Sequence, residues 1–191
     1  MLLDILTPMT RPDNLLPMRY AIDRARIPEV EVRWIIVTDS NTVGEMLSPE
    51  LWDDTKYISH PTNYSGASGN PQRNAALKES QGDYVYFLDD DNIIHPDLLR
   101  ECYSHMLRGE CIVVNQVNKE NKVRLTASRE AIKPTFIDTA QFLIPGDIAR
   151  NYTWDVWDYC ADGIYFSTIY KENKDKFVIV NKNLSYYNYL R

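Results

Sequence analysis

The chain has 191 residues, a formal net charge of -6 and 44% hydrophobic residues, values that fit one globular domain able to bury its own core. The acidic balance excludes a broad non-specific nucleic-acid binder, which needs a basic face. No apolar stretch approaches the ~20 residues that span a bilayer, and no signal-peptide pattern opens the chain. The cysteines form no CxxC pair, which indicates reduced thiols and a cytoplasmic protein.

The first part of the chain alternates between strand-like and helix-like patterns. Strand-like segments are short runs of β-branched and aromatic residues, and helix-like segments space apolar residues three and four apart. In chain order they are a strand at 2–7, a helix at 13–26, a strand at 32–38, a helix at 42–52, a strand at 55–59, a helix at 71–81, a strand at 84–88, a helix at 96–108 and a strand at 111–117. This alternation predicts an α/β protein with a mostly parallel sheet flanked by helices.

The last third of the chain follows a less regular pattern. Short irregular strands are expected at 121–145, and a helix is expected at 155–173. No composition shift or linker divides the chain convincingly. We therefore expect a single domain over 1–191, with one part at 1–115 and a smaller mixed part at 116–191.

Three consecutive carboxylates, Asp89, Asp90 and Asp91, follow the apolar strand Tyr-Val-Tyr-Phe-Leu. Their mutual repulsion is costly, and ligands of open α/β sheets bind where strands end. A divalent cation would offset the repulsion, because Mg²⁺ and Mn²⁺ prefer oxygen ligands and bridge to phosphate. The cluster therefore predicts a site for a metal-bound diphosphate. The alternative is a solvated acidic turn that caps the helix near Pro96.

A second chemistry also places aspartates after a strand, that of the aspartyl-phosphate hydrolases, whose first Asp is a nucleophile. That motif closes the first strand and continues with Thr or Val two residues on. Here the cluster closes about the fourth strand, and Ile93 holds the corresponding position. The sequence therefore disfavours this interpretation.

Four motifs follow one another along the chain: Thr7-Pro8-x-x-Arg11-Pro12, Trp34-Ile35-Ile36-Val37-x-Asp39, Gln72-Arg73-Asn74-Ala75-Ala76-Leu77 and Tyr86-Phe87-Leu88-Asp89-Asp90-Asp91-Asn92. Their order and spacing resemble the nucleotide-sugar glycosyltransferases of the GT-A fold, with the general pattern of family 2. The last two motifs are also similar to those of the family 43 glucuronyltransferases. The resemblance covers residues 2–100 well and the remainder weakly, and it implies a donor-binding part at 1–115 and an acceptor-side part at 116–191.

The resemblance implies that the nucleoside of a UDP-sugar donor binds near the first two strands. Thr7 and Pro8 would line the nucleoside pocket, with Arg11 nearby. Asp39 would accept a hydrogen bond from the ring N–H of uracil, which suits a carboxylate because it only accepts. The alternatives are that Asp39 caps the following helix and that Arg11 neutralises a neighbouring acid.

The resemblance likewise implies that the diphosphate and the sugar bind around the acidic cluster. Arg73 would contact base or phosphate, Asp89 and Asp90 would hold ribose and sugar hydroxyls, and Asp91 would ligate Mn²⁺ or Mg²⁺. The alternative for Arg73 is a surface position on its helix. Asn74 is expected to satisfy backbone groups where the loop meets the helix.

Direct displacement at an anomeric carbon needs a general base for the acceptor hydroxyl. In these families the base is an acidic residue that starts a helix in the C-terminal third, where this chain has Asp155, Asp158 and Asp162. The context of Asp162 matches best, so it is the predicted base, with Asp158 as second choice. At i and i+4 the two would share a helix face, which could also simply be solvated. A general base implies that transfer inverts the configuration at the anomeric carbon. Without such a base, retention of that configuration stays possible.

The acceptor is expected to be a carbohydrate or the glycan of a glycoprotein. Tyr152, Trp154, Trp157 and Tyr159 are candidates for an aromatic wall, because sugar C–H faces pack on rings. The alternative for these residues is ordinary core. Gln141, a polar residue in an apolar run, is a candidate contact to the donor sugar.

Two departures from the family pattern weaken the diphosphate site. No histidine follows His105, where many relatives carry one, and the second arginine of family 43 is missing before Gln72.

Two rival functions remain. A sugar-phosphate nucleotidylyltransferase needs a glycine-rich loop after the first strand, and residues 7–12 contain no glycine. A non-catalytic carbohydrate-binding module would have no use for the acidic cluster. The chain could also be the catalytic part of a longer protein.

Overall fold

The computed structural model describes residues 1–39, 52–60, 69–155 and 158–191. The side chains of Asp39 and His60 lie outside this description, as do almost all of the helix predicted at 42–52 and most of the loop at 60–71. Among the described residues, no helix has the length and apolar character needed to cross a membrane.

The first part of the chain forms the parallel half of the sheet. Its strands are β1 (Leu2–Met9), β2 (Glu31–Asp39), β3 (Thr55–His60) and β4 (Tyr84–Phe87), and its helices are α1 (Leu15–Ala25) and α2 (Asn70–Glu79). The strands pair in the order β3-β2-β1-β4, and each pair is parallel. The strands predicted at 2–7, 32–38, 55–59 and 84–88 and the helices predicted at 13–26 and 71–81 are confirmed.

The second part of the chain adds antiparallel strands, so the sheet is mixed. Its elements are β5 (Ile93–Ile94), α3 (Leu98–Met106), β6 (Cys111–Val117), β7 (Val123–Leu125), β8 (Phe142–Pro145), α4 (Gly146–Ala149), α5 (Ala161–Glu172) and β9 (Phe177–Tyr186). From β4 the sheet continues in the order β8-β6-β9-β5, with β7 paired to β6. β8 is antiparallel to β4 and β6, whereas β9 is parallel to β6.

The path between β6 and β8 explains why the sheet is not mostly parallel. β6 ends at Val117 and β8 starts at Phe142, and both points lie at the edge of the sheet where β4 ends. Between them the chain returns through β7 and a 3₁₀ turn at Thr139–Gln141, without a helix that crosses the sheet. A parallel neighbour requires such a crossover, so β8 runs in the opposite direction.

Two elements of the last third also differ from expectation. α5 begins at Ala161, so the predicted helix at 155–173 starts too early. The sequence pattern does not predict β9, because the polar run Asn181-Lys182-Asn183 interrupts its apolar residues. β9 forms because it pairs along β6, with shifts of register after Val114 that accommodate the polar run.

Hydrophobic residues of the central strands pack against both faces of the sheet. In β2, Trp34 and Ile36 join the core beneath α1 and α3, whereas Ile35 and Val37 join the core beneath α2 and α5. Successive side chains of a strand point to opposite faces, so a strand covered on both sides needs apolar residues at every position. This explains the uninterrupted apolar run that marks β2 in the sequence.

A buried carboxylate ties the strands together at the opposite edge of the sheet. Asp4 of β1 accepts hydrogen bonds from Nε and Nη2 of Arg33, both at 2.8 Å, and from the hydroxyl of Ser80 at 2.7 Å. The amides of Gln81 and Gly82 donate to it at 2.8 and 2.7 Å. Burial raises the pKa of Asp4, but these donors outweigh it and hold the pKa below its ordinary value.

We expect Asp4→Asn to lower the free energy of unfolding by about 2–4 kcal/mol at neutral pH, because it removes the charge that Arg33 and the amides face. The depressed pKa means that this contribution is complete above the unfolded-state pKa, near 4. It is lost as the pH falls through the lower folded-state pKa. Urea denaturation from neutral to acidic pH measures both effects. The exposed Asp53 provides the control Asp53→Asn; equal stability of the two variants across this range would contradict the prediction.

Candidate active site

The mixed topology gathers acidic residues at one edge of the sheet. The ends of β4 and β9 and the start of β8 meet there, because β8 runs opposite to its neighbours. Asp89, Asp90 and Asp91 follow β4, Asp138 precedes β8, and Asp162 lies in the first turn of α5. The acidic cluster of the sequence is therefore part of a larger group of carboxylates.

Asp90 fastens the loop that follows β1. Its Oδ2 atom accepts hydrogen bonds from the amide and hydroxyl of Thr10 at 2.6 and 2.9 Å and from the amide of Arg11 at 2.8 Å. The guanidinium of Arg11 pairs with Oδ1. Arg11 therefore pairs with a neighbouring acid, and its predicted place near the nucleoside stays a prediction. The buried carboxylate of Asp90 is surrounded by these protein donors. Its predicted contact with sugar hydroxyls stays a prediction.

Asp91 is buried beside two arginines. Nε of Arg191 lies 2.7 Å from Asp91 Oδ2, and Nη1 of Arg11 lies 3.5 Å from the same atom. Burial and the neighbouring Asp89 raise the pKa of Asp91, while the arginines lower it. The net direction is upward, so the negative charge of Asp91 is only partly compensated by the protein.

The segment that follows β9 brings Arg191 to this carboxylate. The amide of Leu190 donates to the carbonyl of Asp91 at 3.0 Å, and the amide of Asn188 donates to the side chain of Asn92 at 2.7 Å. Sequence reasoning missed Arg191 because a hundred residues separate it from the acidic cluster, and the strand that delivers it carries no clear pattern.

Asp89 lies between α2 and the turn before β8. Arg73 pairs with its Oδ1 atom, and the hydroxyl of Thr139 donates to Oδ2 at 3.0 Å. The guanidinium of Arg73 also donates to Asn70 at 2.9 Å and lies 4.9 Å from the ring centroid of Trp154. Arg73 is therefore buried, and the alternative of a surface position is wrong. Its predicted contact with base or phosphate stays a prediction.

Two asparagines of α2 hold the segment that leads to α5. Asn74 donates to the carbonyl of Trp154 at 3.0 Å and accepts from the Trp154 amide at 2.8 Å. Asn70 donates to the carbonyl of Asp155 at 2.9 Å. Asn74 therefore binds backbone as expected, but that backbone belongs to the segment before α5 and not to the junction of the loop with α2.

The predicted nucleoside residues lie where β1 and β2 end. Thr7 is buried, and its hydroxyl accepts a hydrogen bond from Nε1 of Trp34 at 2.9 Å. Pro8 lies so close to Gly69 that a Cβ on that glycine would be only 2.9 Å from the Pro8 Cβ. Asp39 is the last residue of β2, and its side chain lies outside the described residues. Their roles toward a nucleoside stay predictions.

Asp162 is a carboxylate with a raised pKa at the start of α5. It lies half-buried in the first turn of α5, and the amide of Gly163 donates to its Oδ1 atom at 2.7 Å. Burial raises the pKa of Asp162 to about 6, with further repulsion from Asp138 and Asp89 opposed by Arg73 and the Gly163 amide. A carboxylate with this pKa is ionised at neutral pH and still accepts a proton readily.

Asp158, the second choice for the base, lies in the turn before α5. Its carboxylate accepts a hydrogen bond from the amide of Cys160 at 2.7 Å and is exposed. Because α5 begins at Ala161, Asp158 and Asp162 do not share a helix face as expected. This geometry favours Asp162 over Asp158.

Asp138 is a site residue that sequence reasoning missed. Nε2 of Gln116 donates to it at 2.9 Å, and Nη1 of Arg124 lies 3.2 Å away. Burial and Asp89 raise the pKa of Asp138.

Gln141 is held by two hydrogen bonds within the protein. The backbone amide of Asp138 donates to Gln141 Oε1 at 3.0 Å, and Gln141 Nε2 donates to the carbonyl of Val114 at 3.0 Å. The expectation that Gln141 faces the donor sugar is therefore wrong. The sequence signal that could have predicted this arrangement is the Asp-x-x-Gln spacing of Asp138 and Gln141, which is typical of a capping box.

The predicted aromatic wall is not formed as a unit. Trp154 is only 2% exposed and stacks on Tyr165 with ring centroids 4.5 Å apart, so it belongs to the core. The hydroxyl of Tyr152 donates to Glu172 at 2.7 Å. Tyr159 is 89% exposed, and Trp157 lies outside the described residues.

The donor atoms near Asp91 bear on the predicted metal. Within the described ranges, no three His, Cys, Asp or Glu side chains are grouped as a metal site. Mg²⁺ at nucleotide sites is commonly held by one or two carboxylates together with phosphates and water. Asp91, whose raised pKa reflects buried and partly uncompensated charge, fits a cation that is shared with a bound diphosphate.

Sequence comparison identifies the family. The profile of Glycosyl transferase family 2 matches residues 26–168. The chain belongs to glycosyl transferase family 2. The prediction of a family 2 enzyme class is thus confirmed, whereas similarity to family 43 stays a prediction. A search of curated proteins gives no significant match.

Solved structures share the fold of this family 2 chain. S. aureus TarS 1-349 superposes with a TM-score of 0.77 at 15% identity, over 97% of this chain and 60% of that chain. The complex of TarS 1-349 with UDP superposes with a TM-score of 0.74 at 13% identity, over 98% of this chain and 60% of that chain. The complex with UDP-GlcNAc superposes with a TM-score of 0.73 at 12% identity, over 98% of this chain and 58% of that chain. These matches confirm the GT-A α/β fold. The chain spans about three fifths of the TarS fragment.

Asp90 and Asp91 are expected to contribute oppositely to stability. Asp90→Asn leaves the Thr10 and Arg11 donors without a charged acceptor and should cost about 2 kcal/mol in the free energy of unfolding. Asp91→Asn removes a buried charge with a raised pKa, so we expect a change within about 0.5 kcal/mol, or a gain. Urea denaturation without nucleotide or metal measures both. Equal losses in the two variants would show that the contacts of Asp90 are not what holds this loop.

Proposed function

We propose that the chain transfers a sugar from a UDP-sugar to a carbohydrate acceptor, with Asp162 as the base. The observation that carries the proposal is Asp162 itself, a carboxylate whose pKa is raised to about 6 and which lies in one charge network with Arg73 and Asp89. Family 2 membership and the fold shared with TarS, whose structures include complexes with UDP and UDP-GlcNAc, support a nucleotide-sugar donor. Family membership also favours sugar transfer over a nucleotidylyltransferase or a binding module.

In this proposal the donor lies along the edge where β1, β2 and β4 end. The nucleoside binds beside Pro8 and the end of β2, with Asp39 as acceptor for the uracil N–H. Arg11 and Arg191, which now face Asp91, supply positive charge toward the diphosphate. Asp91 is the residue that would hold Mn²⁺ or Mg²⁺, and the cation would offset the charge of the leaving diphosphate.

The acceptor reacts on the opposite side of the donor sugar. Asp162 takes the proton of the acceptor hydroxyl while the hydroxyl oxygen attacks the anomeric carbon. The bond between that carbon and the diphosphate oxygen breaks, and the electron pair leaves with the diphosphate. Attack from the side opposite to the leaving group inverts the anomeric configuration. Burial of Asp162 keeps its pKa high enough to hold the proton during the step.

The pH dependence of transfer should report the ionisation of Asp162. We expect kcat/KM to rise with pH through an acidic limb centred near the pKa of about 6, because only the ionised carboxylate accepts the proton. Asp162→Asn should reduce kcat by roughly 100- to 10,000-fold and leave UDP binding intact. The measurement is UDP release against pH. Asp158→Asn is the matched control and should stay near wild type. Near-normal turnover of Asp162→Asn would refute the assignment.

Metal dependence can be tested by calorimetric titration of UDP with and without Mn²⁺. We expect Mn²⁺ to tighten UDP binding in the wild-type protein, because Asp91 would hold the cation and its charge would attract the diphosphate. Asp91→Ala should remove the metal-dependent part of the affinity while UDP alone binds no worse. Asp175→Ala, an exposed aspartate just before β9, serves as the control. If UDP binds equally with and without Mn²⁺, the metal has no part in donor binding.

A further inference from the structure

The proposed reaction requires an acceptor hydroxyl next to Asp162, and Asp162 is held at the start of α5. The aromatic wall expected around Trp154 does not supply a sugar surface there, because Trp154 is part of the core. The residues that border the start of α5 therefore decide where an acceptor can rest. An acceptor surface at this position rests on the proposed function and belongs to the acceptor side of the same site.

A tight loop lies directly against the start of α5. A Cβ placed on Gly163 would lie 2.4 Å from the Cα of Pro134 and 3.1 Å from the amide nitrogen of Thr135. Only a residue without a side chain permits this approach, and Gly163 immediately follows Asp162. The loop thus lies beside the proposed base.

The loop adopts a strained conformation that exposes an aromatic ring. Thr135 has φ of 71°, a conformation that is unfavourable for a β-branched residue and is often maintained at functional sites. The next residue, Phe136, is 52% exposed, whereas Ile137 after it is buried. The ammonium of Lys133 lies 4.2 Å from the Phe136 ring centroid on one face. The loop therefore presents the remaining part of the ring to solvent.

A second exposed ring precedes α5. Tyr159 is 89% exposed, and it lies in the turn in which the carboxylate of Asp158 accepts from the Cys160 amide at 2.7 Å. Tyr159 is three residues before Asp162. Tyr20 of α1 is also exposed, at 76%, but α1 packs on the other face of the sheet. The rings of Phe136 and Tyr159 thus belong to the two segments that adjoin the start of α5.

We propose that Phe136 and Tyr159 form an acceptor subsite that binds the apolar face of a neutral pyranose and presents one of its hydroxyls to Asp162. Sugar C–H groups pack on aromatic faces, and the phenol of Tyr159 can hydrogen-bond a hydroxyl. The carboxylate of Asp162 accepts a hydrogen bond from the reacting hydroxyl. This combination of exposed rings and a carboxylate matches the chemistry of an uncharged sugar.

The test uses ligand-observed NMR of the full chain saturated with UDP, with the methyl α- and β-pyranosides of glucose, galactose, mannose and N-acetylglucosamine as probes. At least one pyranoside should bind the wild-type protein. Phe136→Ala and Tyr159→Ala should each weaken it by roughly two- to tenfold, the range that one ring contact contributes. Phe136→Tyr and Tyr159→Phe should retain the ring contact and most of the affinity. Tyr20→Ala is the control, because it removes an exposed ring from the other face of the sheet.

The affinity for UDP, measured separately by calorimetry, should be the same in all variants, which also shows that they are folded. If no pyranoside binds the UDP-saturated protein, or if the two alanine variants bind as tightly as Tyr20→Ala, the acceptor subsite is refuted while the proposed donor function stands. If the wild-type protein fails to bind UDP, the proposed function fails, and the subsite fails with it.

Discussion

Buried negative charge at the carboxyl edge of the sheet is the constraint on which the site depends. Asp89, Asp90, Asp91, Asp138 and Asp162 lie at or beside that edge, and repulsion among carboxylates in a poorly solvated place is unfavourable. The protein compensates them unequally. Asp90 has a full set of protein donors, whereas Asp91, Asp138 and Asp162 all keep raised pKa values. Two of these three residues, Asp91 and Asp162, have proposed chemical roles.

The arginines show how this charge is distributed. Arg73 is fixed between Asp89, Asn70 and the ring of Trp154, so it couples the acidic motif to the segment before α5. Arg11 and Arg191 both approach Asp91, and Arg191 is partly exposed. A diphosphate that entered here would bring its own negative charge. A cation on Asp91 would free these guanidiniums to face phosphate, which links the predicted metal to the arrangement of the arginines.

Much of this fold was predictable from local patterns. β1, β2 and β4 are covered on both faces and therefore consist of almost continuous apolar residues. Asp89, Asp90 and Asp91 could be recognised because they follow the clearest of these strands. A backbone-binding role could be assigned to Asn74, but its partner, the distant backbone of Trp154, was decided by the fold. The polar run in β9 and the irregular return to β8 gave no such signal, since their pairing depends on β6 and not on their own pattern.

The sequence by itself determined the alternating strands and helices, the family motifs and the residues that can carry acid–base chemistry. Only the tertiary structure decided which of the three neighbouring aspartates is held by protein donors and which keeps a charge that the protein compensates only in part. It also brought Asp138, Arg191 and the Phe136 loop to the acidic edge. The physical reason is the antiparallel insertion of β8, which places the start of one strand beside the ends of two others. Charges far apart in the chain then share one poorly solvated region, and their pKa values are set by that proximity.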